Sequence, residues 1–191
     1  IESQLADMLK SEADYSITDL YLYNEKNELV DKRIRSYIQS VKTEELMKYH
    51  LLYHMTGTDT LMFKAEYLLA IGGFTTIDVG DEFYLMEKAI LAGGKFSYSH
   101  HCYVKAYIHS GEESGLSSGR SKIEGENALY ENKKKYFGYL QKREIKYIKA
   151  RHYAVIAFAE MRTNRYGLFI KTALKAFLVS PIDCVKILIN R

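Results

Sequence analysis

A chain of 191 residues is long enough for one ordinary domain, or a domain with an appendage, around a real core, and 47% hydrophobic with 27% charged residues excludes wholesale disorder. The net charge of +3 conceals an asymmetry: residues 1–132 hold 13 Lys/Arg against 21 Asp/Glu, and residues 133–191 hold 14 against 3. A balance of −8 followed by +11 marks two regions with different partners.

The first element is a helix over residues 1–12, where Ile1, Leu5, Met8 and Leu9 share a face. Alternating, Tyr-rich DYSITDLYLYNEKNELVDKRI predicts a strand, a turn near NEKNE and a weaker second strand. TEELMKYHLLYHM reads as a helix, TDTLMF as a short strand, and KAEYLLAIGGF as a short helix stopped by Gly72 and Gly73. A helix follows Gly80, and residues 92–110 turn into an extended aromatic run. Residues 111–121 form a Gly/Ser-rich loop, and the rest is helical with breaks near Gly167 and at Ser180–Pro181.

The chain contains only two cysteines, Cys102 and Cys184, without CxxC spacing, which points to reduced thiols and a cytoplasmic setting. No stretch reaches the roughly 18 uncharged apolar residues that span a bilayer. YGLFIKTALKAFLV (166–179) comes closest, but Lys171 and Lys175 interrupt it. Such a helix lies on something, either its own domain or a membrane surface. Ile1 in place of a methionine is expected of a piece of a longer or processed chain.

The stretch VGDEFYLMEKAI (79–90) sets Asp81 and Glu82 at a helix start. Free N–H groups and the helix dipole favour acids there, so a capping role stands beside a chemical one. Around this pair the order is Gly72-Gly73-Phe74, Asp81-Glu82-x-x-Leu85-x-x-Lys88, Gly93-Gly94, an aromatic strand, His109, and a Ser/Gly loop. This series resembles the second half of a family 2 glycosyltransferase of the GT-A fold, over residues 1 to about 138.

The resemblance implies an α/β fold: residues 1–138 as the acceptor-side half of a Rossmann-like GT-A domain, and residues 139–191 as a basic helical extension. It implies inverting transfer of a sugar from a nucleotide-sugar donor, of the UDP type, to an acceptor hydroxyl in surface polysaccharide or glycoconjugate synthesis. The family's acidic pair is Glu-Asp with the second acid as general base. Alignment therefore assigns the base to Glu82 and makes Asp81 its partner, and the swapped order lengthens the base by one methylene. His109 matches the histidine that helps hold the metal–diphosphate, the metal being Mn²⁺ or Mg²⁺. Gly57 and Asp59 match the acceptor-side strand, and Ser117, Arg120 and Lys122 are placed to contact phosphates. The donor-binding half, which closes on an Asp-x-Asp loop, has no counterpart in this sequence. A sheet cut at that point is expected to expose an edge strand and apolar surface, and the piece alone to be inactive.

Two other readings stay open. The basic helical tail suits a non-catalytic module that docks on anionic membrane, such as the inner face, or on acidic partners. ENKKKYFGYLQKREIKYIK interleaves base and ring as nucleic-acid binders do, although on a helix Lys133, Lys134 and Lys135 point in different directions and read as a solvated face, so no nucleic acid is expected. His50 and His54, four apart on a helix without an evident third ligand, read as surface or packing histidines.

Overall fold

Residues 1–77, 79–108 and 119–189 are described by a computed structural model. In chain order they form α1 (Glu2–Ser11), β1 (Tyr15–Asn24), β2 (Leu29–Arg33), α2 (Leu46–Tyr53), β3 (Leu61–Phe63), α3 (Ala65–Ala70), α4 (Asp81–Leu91), β4 (Phe96–Ile108), α5 (Gly119–Lys134), α6 (Lys142–Arg162), α7 (Tyr166–Val179) and α8 (Pro181–Ile189). The mixed α/β class agrees with the sequence reading. The chain divides into two compact units, Ile1–Thr76 with Asp81–Glu112, and Ile77–Gly80 with Glu113–Arg191.

In the first unit, β1 is the strand on which the sheet is built. It runs antiparallel to β2 through Leu20–Arg33 and to β3 through Tyr15–Phe63, and parallel to β4 from Tyr15–Phe96 to Asn24–Ile108. Residues 15–20 of β1 are all buried, as expected of a strand covered on both faces. Tyr15 stacks on Phe63 and Tyr67 and meets Phe96, and with Ile17, Ile38, Leu46, Met55, Met86 and Ala89 it makes the core. Among the described residues β3 pairs with β1 alone.

Two details differ from the sequence reading. Of the apolar face expected of α1, only Met8 is buried, while Ile1, Leu5 and Leu9 are exposed. Gln4 is buried instead, because its amide donates to Ser16 Oγ at 2.9 Å and to the Thr60 carbonyl at 3.0 Å. Asp19 is a buried acid inside β1, compensated by hydrogen bonds from the Arg35 backbone N–H at 2.9 Å and the Tyr98 hydroxyl at 2.7 Å.

The motif pieces meet in space. Gly72 and Gly73 both take positive φ, 79° and 56°, and close α3 by donating to Leu69 and Leu68 carbonyls. Lys88 Nζ then donates to the Gly73 carbonyl at 2.9 Å, fastening α4 to that turn. The Tyr67 hydroxyl donates to the Ala89 carbonyl and accepts from Gly94 N–H, and a Cβ at residue 94 would lie 2.3 Å from the Tyr67 ring.

In the second unit, α5 packs on α6, and α6 on α7 and α8. Segment 77–80 belongs here, since Val79 and Leu129 fill the space that a side chain on Gly125 or Gly80 would need. The Tyr130 ring stacks on His152 at 4.2 Å, and Glu126 faces the same imidazole. These contacts join α5 to the terminal helices, and the two compact units meet in sequence at 112/113. The break expected near Gly167 falls at Thr163–Arg165, where Asn164 adopts φ 57°, and Gly167 itself lies in the first turn of α7. Residues 119–121, read as loop, are the first turn of α5. Among the described residues no helix is long and apolar enough to cross a membrane.

Candidate functional site

The two acids at the start of α4 have different surroundings. Asp81 turns back on its own helix and accepts the Glu82 backbone N–H at 2.8 Å. Burial raises the Asp81 pKa above its ordinary value, and its hydrogen bond with the Glu82 side chain adds to the rise. Glu82 reaches out of the helix, and its Oε1 lies 2.9 Å from His54 Nε2. An ionised carboxylate only accepts, so with Glu82 charged it is Nε2 of His54 that carries the proton. Both side chains are largely enclosed, with 13% of His54 and 19% of Glu82 exposed.

His54 is placed by the end of α2. It sits in the left-handed region at φ 51°, and its N–H donates to the His50 carbonyl to close the helix. One turn back, fully buried His50 stacks on Phe83 at 4.1 Å and sets its Nε2 3.0 Å from the Phe83 carbonyl. The four-residue spacing of the two histidines therefore meets consecutive residues of the first turn of α4: His54 takes the side chain of Glu82, and His50 the backbone of Phe83. The Thr56 hydroxyl adds a long 3.4 Å contact to the Glu82 carbonyl. Sequence reasoning treated His50 and His54 as surface or packing histidines. That holds for His50 and misses the partner of His54; the available signal was the shared helical face.

The other sequence-chosen residues are spread more widely. Gly57 follows Thr56 directly, and its bare Cα admits the Asp59 carboxylate, which would lie 2.8 Å from a Cβ there. Asp59 is exposed and lines a cavity of about 310 Å³ with Gln4, Thr18, Leu61 and Met62; neither Asp81 nor Glu82 lines it. Arg35, buried close by, donates to the Thr18 carbonyl at 3.1 Å. Burial pulls its pKa down, against the opposing charges of Tyr37, Asp19 and Asp59.

In the second unit, Arg120 pairs with Glu124 at 2.8 Å on the exposed face of α5. Lys122, two residues on, contributes its charge to Glu126. His109 and Ser117 lie outside the described residues. Among the described residues no group of three or more His, Cys, Asp or Glu side chains is arranged to hold a metal ion. The described residues do not by themselves supply a ligand set for the Mn²⁺ or Mg²⁺ that the resemblance implies. The chain matches no protein-family model, and comparison with curated proteins gives no match.

Proposed function

We propose that this chain is the acceptor-side part of an inverting, nucleotide-sugar-dependent glycosyltransferase in which Glu82 is the general base. The observation that carries the reading is the Glu82–His54 contact: of the two acids at the helix start, one serves its own backbone and the other is held, still partly exposed, by an imidazole. In the reaction, a Glu82 oxygen takes the proton of the acceptor hydroxyl as that oxygen attacks the anomeric carbon. The new carbon–oxygen bond forms while the bond to the donor's diphosphate breaks, and the diphosphate leaves with the electron pair. His54, donating from Nε2, orients the carboxylate. No step is assigned to a metal, since the described residues supply no ligand set for one.

The open edge of β3 and the exposed apolar residues Ile1, Leu5 and Leu9 of α1 support a partnership with a donor-binding half in the intact parent. The test is transfer by that parent, followed as release of nucleoside diphosphate. Glu82→Gln is expected to lower the rate about a thousandfold, His54→Asn less, and Asp81→Asn least. Unchanged rates in both Glu82→Gln and Asp81→Asn would remove the proposal.

A further inference from the structure

Helix α7 is turned inside out relative to an ordinary surface helix. Its buried positions are the small Thr172 and Ala176, which let it lie close on its neighbours, with Ala154, Ala176 and Cys184 forming the shared core of α6, α7 and α8. Its large apolar side chains face outward: Tyr166, Ile170, Leu174, Phe177 and Leu178 are 58%, 64%, 56%, 47% and 72% exposed. Spacings of four, four, three and one place them on one stripe of the helix. On α8, Ile182 and Val185 are exposed as well, at 69% and 46%.

Charge identifies the occupant. From Met161 to Ile182 the sequence has no Asp or Glu but contains Arg162, Arg165, Lys171 and Lys175, and all four are exposed. On α7 the two lysines each follow a stripe residue, Ile170 and Leu174, so they line one margin of the stripe. Lys186 adds an exposed charge on α8. Apolar anchors beside cations, with no anion in the run, match a surface that is apolar below and negative above. The helices of 14 and 9 residues measure about 21 Å and about 14 Å, too short to cross a hydrocarbon core of about 30 Å.

We propose that the outer face of α7, continued by α8, docks flat on an anionic phospholipid bilayer, with the apolar stripe at the headgroup–acyl boundary and the basic margin among the lipid phosphates. This surface is independent of Glu82 and of the proposed sugar transfer.

The chain has no tryptophan, so Phe177→Trp gives a single reporter on the stripe. The full 191-residue chain carrying it is mixed with vesicles of phosphatidylcholine containing one-third phosphatidylglycerol, and with vesicles of phosphatidylcholine alone. The expected result is a blue shift and co-sedimentation with the anionic vesicles, weakened by salt. Binding should fall at least about tenfold in Lys171→Glu/Lys186→Glu, and likewise in Ile170→Ser/Leu174→Ser/Leu178→Ser. Far-UV circular dichroism checks that each variant keeps its helices, and the charge variant decides if the apolar one does not. No binding to anionic vesicles, or binding that neither variant weakens, overturns the proposal. So does a concentration-dependent dimer that the serine variant dissociates without any vesicle binding, which would make a second copy the occupant.

Discussion

The Tyr15 ring is at the centre of the first unit's core, yet its hydroxyl is buried and has no hydrogen-bond partner among the described residues. A buried hydroxyl left unpaired costs free energy that the ring's packing must offset. Tyr15→Phe keeps the stacking on Phe63 and Tyr67 and removes the orphan oxygen, so it should raise stability by about 1 kcal/mol, read from the urea midpoint. Lys133 is a buried charge-bearing residue in the second unit. Burial drives its pKa down to about 7, the Arg151 charge adds to the fall, and Glu126 opposes it. An unfolded lysine titrates near about 10.4. Between those values the unfolded chain holds a proton that the folded chain does not, so stability rises with pH across that window and the slope vanishes below it. Lys133→Met should flatten the slope and stabilise the helices most at pH 6; urea midpoints at pH 6 and pH 9 test both. The Glu126 carboxyl is held below its ordinary value against burial by His152 and the charges of Arg151, Lys133 and Lys122, and the variant removes one of these charges.

Elements were largely legible before their contacts were. The 3.6 and 2.0 periods belong to neighbouring residues, so α2, α4, β1 and β4 could be read from local pattern. Gly72 and Gly73 could be read too, because ending a helix through positive φ is a local requirement. Gly94 could not, since its need comes from the Tyr67 ring of another helix. A methyl there has no room, so Gly94→Ala should cost about 1–3 kcal/mol in a urea melt. In that variant, Tyr67→Phe should add less than it does alone, because the hydroxyl's link to Gly94 is already strained. The site divides in the same way. Asp81 and Glu82 were visible as acids at a helix start, but the contact that separates their roles joins residues 54 and 82, and no period carries it. The expected face of α1 failed for a related reason. Spacing shows which residues share a face, and only the packed structure shows whether that face is covered.

Over the whole molecule the two units differ in what holds them. The first depends on a sheet and an aromatic core, the second on helix against helix with buried Glu126, Lys133 and His152. Tyr15→Phe and Lys133→Met fall in different units, and their effects should add to within about 0.5 kcal/mol in the double variant. A larger departure would mean that the two sites are energetically coupled. The charge division read at 132/133 does not coincide with the structural one, because it falls inside α5, whose acids Glu124, Glu126 and Glu131 belong with the basic helices it packs against.

The pairing of β1 has a consequence in time. Tyr15 must find Phe96, and Asn24 must find Ile108, before the sheet has its parallel half. The helices of the second unit instead meet partners adjacent in the chain. Closing long loops is the slow step in folding, and neighbouring helices avoid it. The ribosome makes β1 well before its parallel partner, so the strand emerges with six consecutive residues made for burial before β4 exists to pair with it. The helices of the second unit can pair as each emerges, whereas the sheet of the first waits for Ile108, and β1 spends that interval as a segment in need of a chaperone.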